Sequence, residues 1–264
     1  MKSILVVTLF VSLGLPQLGC STSAEKVLDH HRRGVGLQEK GDLEGAIAEY
    51  RTALHLEPDY APLHTNLGAA LAEKGDLEGA IAEFRTALRL EPDDVPLHTN
   101  LGAALADKGD LEGAIAEFRT ALRLDPKYAP AHTNLGTALC HKGDSDGAIA
   151  ESRTALRLAP NDVLAHFNLG TCLQAKGDSD GAIAEYRTAL RLDPNYALAH
   201  TNLGKALQAK GDLALASMEF EEAQRLISQT SQNRARIKTI HSANNSPSLQ
   251  RRTYSGHFPG DGDE

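Results

Sequence analysis

One step length governs most of this chain. Proline recurs at Pro58, Pro92, Pro126, Pro160 and Pro194, and glycine at Gly68, Gly102, Gly136, Gly170 and Gly204, each series spaced by 34 residues. The stretch from His64 to Pro92 returns almost unchanged from His98 to Pro126. A period of this length, broken in its middle by Gly-Asp, predicts helix, turn and helix in every copy. One such pair cannot cover its own apolar face, so the copies must stack.

The residues between 61 and 94 show how one copy works. Leu63, Leu67, Ala70 and Leu71 share a helical face, at i, i+4, i+7 and i+8. Gly75 can end that helix and Asp76 can cap the next one. Ala80, Ile81, Phe84, Ala87 and Leu88 form the apolar stripe of the second helix, which Pro92 stops because proline has no N–H to continue the ladder. Pro62, Pro96 and Pro130 fall in the first turn of a helix, where a missing N–H costs nothing. Gly68, Ala80 and Ala87 are small where two helices must touch, and Leu67, Leu71 and Phe84 fill the space around them. Composition agrees with an all-helical chain: tryptophan is absent and aromatics are 5%, too few for a typical sheet protein. Lys plus Arg total 27 against 35 Asp plus Glu, a net charge of −8. That balance excludes a nucleic-acid partner, whose phosphates demand a basic footprint.

Small residues at the eighth, twentieth and twenty-seventh places, an aromatic at the twenty-fourth and proline at the thirty-second are, in this copy, Gly68, Ala80, Ala87, Phe84 and Pro92. This pattern resembles the tetratricopeptide repeat. The resemblance implies a right-handed α-solenoid, a superhelix of six units at 27–60, 61–94, 95–128, 129–162, 163–196 and 197–230, after a short linker at 21–26. Arg32 and Arg33 stand where other units carry Asn and Leu, as suits a polar terminal cap. Ser228 holds the last proline place, so the final helix can run on toward Ile240.

Asn66, Asn100, Asn134, Asn168 and Asn202 occupy one place in five units. Asparagine is a mediocre helix former because its side chain competes for backbone hydrogen bonds, so local propensity does not explain the row. It lies about 100° around the helix from the Leu67–Leu71 stripe, a turn of one residue, on a stripe facing away from the partner helix. A carboxamide there can pair with the N–H and C=O of an extended peptide whatever its side chains. The sugar-transferring enzymes that modify Ser and Thr with N-acetylglucosamine carry a similar row, and their arms read HxNLA-like where this chain reads HTNLG. That resemblance implies peptide-backbone contacts for the five asparagines. Thr65, Thr99, Thr133 and Thr201 beside them would extend a polar, uncharged groove, and Phe167 breaks that series and gives a local apolar pocket. The competing reading is recent duplication, in which copies agree for lack of time to differ.

The first 20 residues read as a leader, with Met1 and Lys2 before an apolar run from Ile4 to Leu15 that is too short to span ~30 Å of hydrocarbon. Leu18-Gly19-Cys20 resembles a bacterial lipoprotein signal, although Gln17 stands where that signal prefers leucine. The resemblance implies lipidation at Cys20 and export to the envelope, on the outer membrane of a Gram-negative cell given Ser21; the alternative is ordinary signal-peptide cleavage near this point, which leaves an exported chain that is periplasmic or secreted. Each buried acyl CH₂ would contribute ~0.8 kcal/mol to that anchorage. Residues 231–260 carry five basic residues and no acid, and with 261–264 they read as a polar, largely disordered tail beyond a short helix.

His64, His98, His132, His166 and His200 are one full unit apart, too far to converge on one ion at the ~2.0–2.2 Å that ligation needs; they read as packing and hydrogen-bonding residues. Cys140 and Cys172 sit at the twelfth and tenth places of their units and read as small buried side chains, with a disulfide as the alternative that export allows. No nucleophile triad, phosphate loop, metal or cofactor pattern appears, and no segment is left for a catalytic domain. The expectation is a non-enzymatic scaffold that binds an extended peptide or helix of an envelope protein, with no small-molecule substrate. Families of this build include envelope lipoproteins that guide secretion-pore or pilus assembly and adaptors for cell-wall enzymes. The alternative is a structural element that self-assembles by stacking its ends.

Overall fold

A computed structural model describes residues 22–244. Within them lie twelve α-helices and no strand: α1 Ser23–Glu39, α2 Leu43–Leu56, α3 Ala61–Lys74, α4 Leu77–Leu90, α5 Val95–Asp107, α6 Leu111–Leu124, α7 Ala129–Lys142, α8 Ser145–Leu158, α9 Val163–Ala175, α10 Ser179–Leu192, α11 Ala197–Lys210 and α12 Leu213–Asn244. The chain divides into two compact units at Ala104 and Leu105, inside α5. In the first, α1 packs on α2 and α3 on α4 as antiparallel hairpins, and α2 packs on α3. In the second, α7–α8, α9–α10 and α11–α12 are hairpins, and each second helix packs on the first helix that follows it. This is the helical-hairpin stack that the 34-residue period predicts.

The turn inside each hairpin is fixed by local chemistry. Gly75 ends α3 with φ 91°, a left-handed conformation that costs a side-chain-bearing residue about 1 kcal/mol or more. Asp76 then caps α4, its carboxylate accepting from the Gly79 N–H at 2.9 Å. The same Asp-to-Gly cap recurs at Asp42, Asp110, Asp144 and Asp178.

Packing inside the hairpins follows the small-large rule. Leu63, Leu67, Ala70 and Leu71 of α3 and Ala80, Ile81, Phe84 and Ala87 of α4 are all buried, and each large side chain so placed contributes about 1.5–3 kcal/mol. Leu88, expected in the same stripe, is only half-buried. A Cβ built on Gly68 would lie 2.7 Å from Phe84 Cε1, so the missing side chain is what lets the ring lie against α3. Gly34 faces Tyr50, Gly170 faces Tyr186 and Gly204 faces Phe220 in the same way.

Two boundaries differ from the sequence reading. Residues 23–26, assigned to a linker, are the first turn of α1. Thr22 and Glu25 form a capping box, with Thr22 Oγ1 accepting from the Glu25 N–H at 3.2 Å and Glu25 Oε2 accepting from the Thr22 N–H at 2.8 Å. At the other end α12 runs on through 231–244, past the 230 boundary of the last unit, as Ser228 in the proline place led one to expect, since it leaves the ladder unbroken. Cys20 with its leader, and the tail from 245 onward, lie outside the described residues. No helix among the described residues is long and apolar enough to cross a membrane.

Candidate functional site

The first helices of consecutive hairpins touch one another, α1 with α3 in the first unit and α7 with α9 and α9 with α11 in the second. Three of the five asparagines sit at these junctions and reach back to the preceding hairpin. Asn66 Nδ2 donates to His31 Nε2 at 2.7 Å, which places the His31 proton on Nδ1. Asn168 Nδ2 donates to Thr137 Oγ1 at 2.6 Å, and Asn202 lies near the Tyr186 phenol, whose pKa, raised by burial, it pulls down. Asn134 is half-buried and Asn100 is exposed. The row thus joins units together, and the remaining amide valences are what a ligand could use.

The threonines beside them are placed differently from the expected groove wall. Thr65, Thr99 and Thr201 each donate to the backbone carbonyl four residues earlier, at 3.0 Å. Thr133 donates to the Asp162 carboxylate at 2.8 Å, on the cap of α9. Thr99 and Thr133 are buried. A hydroxyl on a helical Thr reaches its own preceding turn most cheaply, so these donor protons are used within the fold, while Thr65 and Thr201 stay half-buried.

Phe167, which takes the threonine place in its unit, packs against Tyr196 with ring centroids 5.0 Å apart and against Tyr186 at 5.9 Å. His31 holds the same place in the first hairpin and packs the same way against Tyr50 and Tyr60, at 6.2 and 6.3 Å. Phe167, Asn168 and Asn202 line one cavity of about 240 Å³, with Thr137, Cys140 and His141 of α7 and Thr171 of α9. A second cavity of about 330 Å³ in the first unit is lined by Val35, Gln38, Glu39, Tyr50, Asn66 and Glu73. The two are the same place in the repeat, since Val35, Gln38, Glu39 and Asn66 stand three periods before Thr137, Cys140, His141 and Asn168.

Their chemistry differs. In the first unit Tyr50 donates to Gln38 Oε1 at 2.9 Å and Gln38 donates to Glu73 Oε1 at 2.7 Å. Burial, and then the charges of Glu73 and Glu39, push the Tyr50 phenol above its ordinary value. This cavity presents negative charge. The second-unit cavity presents an aromatic ring, two carboxamides, hydroxyls and a thiol. Burial raises the Tyr186 phenol, which donates to Gln174 Oε1 at 3.0 Å.

The histidine column is structural in detail. His64 Nδ1 lies 2.6 Å from the Glu83 carboxylate and Nε2 lies 2.8 Å from the Pro58 carbonyl, so each ring ties its own second helix to the preceding loop. His132, His166 and His200 repeat both bonds. His98 bonds the Pro92 carbonyl, and His30, not counted in the sequence series, pairs with Glu49.

Several residues escaped the sequence reading. Thr137, Cys140, His141 and Thr171 line the second-unit cavity, and Cys172 is buried on α9. Ser152 is fully buried with its hydroxyl unpartnered, in the place held elsewhere by Tyr50, Phe84, Phe118, Tyr186 and Phe220. The signal was present as departures from the repeated sentence: where the second and third copies read LGAALAEK or LGAALADK, the fourth reads LGTALCHK and the fifth FNLGTCLQAK.

The described helices match known repeats. The profile described as TPR repeat matches residues 37–75, 70–109, 104–143 and 172–211, and a second, described as Tetratricopeptide repeat, matches 153–184. No curated protein sequence matches the chain. Among solved structures, MamA is 25% identical over 66% of this chain and 95% of its own, with a TM-score of 0.56. PilF of Pseudomonas aeruginosa is 20% identical over 77% of this chain and 93% of its own, with a TM-score of 0.66. YrrB, titled a TPR protein with an unusual peptide-binding site, is 25% identical over 67% of this chain and 91% of its own, with a TM-score of 0.50. Repeats of this kind are protein–protein interaction scaffolds. With matching hairpins over more than half its length, the chain belongs to the tetratricopeptide repeat family.

Proposed function

We propose that this chain is a non-enzymatic scaffold that grips an extended segment of a partner protein along the face formed by its first helices. One observation carries the reading. Where neighbouring copies are nearly identical, the departures Thr137, Cys140, His141, Phe167 and Thr171 gather around a single cavity that also holds Asn168 and Asn202. The cavity suits an apolar side chain flanked by peptide groups, with the free carboxamide valences pairing to the peptide backbone. The likeness to YrrB, itself titled for a peptide-binding site, supports the same mode, as does the HTNLG resemblance to glycosyltransferase arms. Panning a displayed peptide library against the full chain tests it. Selected peptides should bind Asn168→Ala and Asn202→Ala variants roughly twofold to tenfold more weakly per amide, the equivalent of ~0.5–1.5 kcal/mol. Equal affinity in helical, folded variants would remove the reading.

The proposal places this scaffold in the cell envelope, tethered by acyl chains on Cys20, on the strength of the leader sequence. Intact-mass analysis of membrane-extracted protein should show an acylated chain beginning at Cys20; a soluble chain beginning elsewhere would end that part.

A second reading is self-association through the last hairpin. On α12, Leu213 and Met218 are each 64% exposed and Ile227 is 54% exposed, beside a cavity of about 380 Å³ lined by Thr201, Phe220 and Ile227. In earlier hairpins the corresponding helix is covered by the helix that follows. Light scattering over a concentration series, with no partner present, separates the two readings: growth in mass favours assembly.

A further inference from the structure

The first-unit cavity differs from its second-unit counterpart in charge. It is lined by Val35, Gln38, Glu39, Tyr50, Asn66 and Glu73 and has a volume of about 330 Å³. Glu39 and Glu73 hold the thirteenth places of the first and second copies. The third copy carries Asp107 there, whereas the fourth, fifth and sixth carry His141, Ala175 and Ala209. Acid at this place is thus confined to the first three copies, and in the second-unit cavity the place belongs to His141.

The two carboxylates have no counter-charge. Elsewhere the hairpins match acid with base: Lys74 pairs with Glu44 and Lys142 with Glu112, each at 2.7 Å, and Lys176 pairs with Asp146 at 2.5 Å. Lys74 follows Glu73 in the chain, yet its ammonium is turned to Glu44. Among the described residues no lysine, arginine or histidine forms an ion pair with Glu39 or Glu73. The cavity is also short of donors. Gln38 Oε1 accepts the Tyr50 hydroxyl at 2.9 Å, and Gln38 Nε2 donates to Glu73 Oε1 at 2.7 Å. Asn66 Nδ2 is turned to His31 Nε2 at 2.7 Å. That leaves the Asn66 carbonyl oxygen, Glu73 Oε2 and the Glu39 carboxylate to accept.

We propose that this cavity takes the cationic end of an arginine or lysine side chain of the partner's extended segment, held between Glu39 and Glu73. The inference rests on the peptide-binding reading and adds the chemistry of one residue of the ligand. A guanidinium or an ammonium carries donors and no acceptor, the complement of three unmatched acceptors. The aliphatic stem of such a side chain can lie along Val35 while its charged head meets the carboxylates. A calcium ion fits less well, since it takes about six to eight oxygen ligands, and among the described residues no three His, Cys, Asp or Glu side chains converge as a metal site. The net charge of −8 draws a basic segment toward the chain in the first place.

Displayed random peptides are panned against the full chain, against a Glu39→Gln/Glu73→Gln variant and against an Asn168→Ala/Asn202→Ala variant. Both glutamates are exposed, and an amide oxygen at 73 still accepts from Gln38, so helicity should be unchanged; circular dichroism checks this. Arg plus Lys should be enriched at one peptide position on the native chain and on the asparagine variant, and should fall to the frequency of the unselected library on the glutamine variant. A selected basic peptide should bind the glutamine variant roughly twofold to thirtyfold more weakly than the native chain, and added salt should shrink the difference. Replacing its basic residue by an uncharged counterpart, citrulline for arginine or acetyllysine for lysine, should weaken binding to the native chain by a similar factor and binding to the glutamine variant no further. Peptides that depend on Asn168 and Asn202 but show no basic preference would overturn this inference and leave the scaffold reading standing. A basic preference that survives in the glutamine variant would also overturn it. Basic peptides indifferent to Asn168 and Asn202 would uphold the cation site and remove the second-unit contacts, and no enrichment on any of the three proteins would end both.

Discussion

Asn168 Nδ2 donates to Thr137 Oγ1 at 2.6 Å across the junction of α9 and α7. The amide that resembles a ligand contact is therefore also a joint between hairpins, and the two roles are separable by substitution.

Asn168→Ala should lower unfolding free energy by about 0.5–1.5 kcal/mol, the net worth of one such bond. Asn100→Ala, at an exposed position, should leave stability unchanged. Urea titrations followed by circular dichroism compare the two. If Asn100→Ala unfolds as early as Asn168→Ala, the distinction between joint and open contact is wrong.

Gly68 and Gly36 both lie in first helices but face different surroundings. An alanine Cβ at 68 would meet Phe84 Cε1 at 2.7 Å, against a ring only 2% exposed, whereas at 36 it would meet nothing within 4 Å. Alanine gains ~1 kcal/mol of helix propensity at either site, but overpacking costs ~1–3 kcal/mol. Gly36→Ala should raise the melting temperature, and Gly68→Ala should lower it. A rise in both would mean that the ring at 84 has room to move.

Ser152 presents a buried hydroxyl with no partner, a cost of ~1–3 kcal/mol that its removal relieves. Ser152→Ala should be neutral or stabilising by ~1 kcal/mol in thermal unfolding. A clear loss of stability would show that the hydroxyl is bonded in solution.

Burial lowers the His31 pKa from its ordinary value of 6.5, and Nε2 accepts the Asn66 amide in the neutral ring. The unfolded chain therefore binds the proton more readily than the folded one. The stability from neutral His31 is complete above the unfolded value near 6.5 and is lost as pH falls through the lower folded value. Replacing it as His31→Thr, the residue most other copies carry at this place, should flatten the decline in stability below pH ~6.5. The comparison is made between the two proteins so that the His–Glu pairs common to both cancel; an identical slope in both would contradict the assignment.

Much of the fold was readable because its causes are local. Gly75, Asp76 and Gly79 set one turn from five consecutive residues, and the Gly68–Phe84 fit follows from helical spacing within a single copy. The Thr22–Glu25 capping box was equally local and equally present in the sequence, yet the assignment of a linker to 21–26 passed over it. The candidate site was half legible. Phe167, Asn168 and Asn202 were singled out and share one cavity. What the sequence did not show of the threonines is that their hydroxyls turn to carbonyls of their own helix or to Asp162.

The sequence by itself determined that this chain is a series of 34-residue helical hairpins with small residues opposing large ones, since the period, the caps and the apolar stripes act within one copy. Only the tertiary structure decided that Asn66 is held by His31, that Asn168 is held by Thr137 and that Thr137, Cys140, His141, Phe167 and Thr171 share one cavity. Those relationships join residues more than thirty positions apart, and they depend on the stagger with which one helix settles against the next. Hydrophobic pattern fixes which faces meet; the packing of specific side chains in three dimensions fixes how far each helix slides.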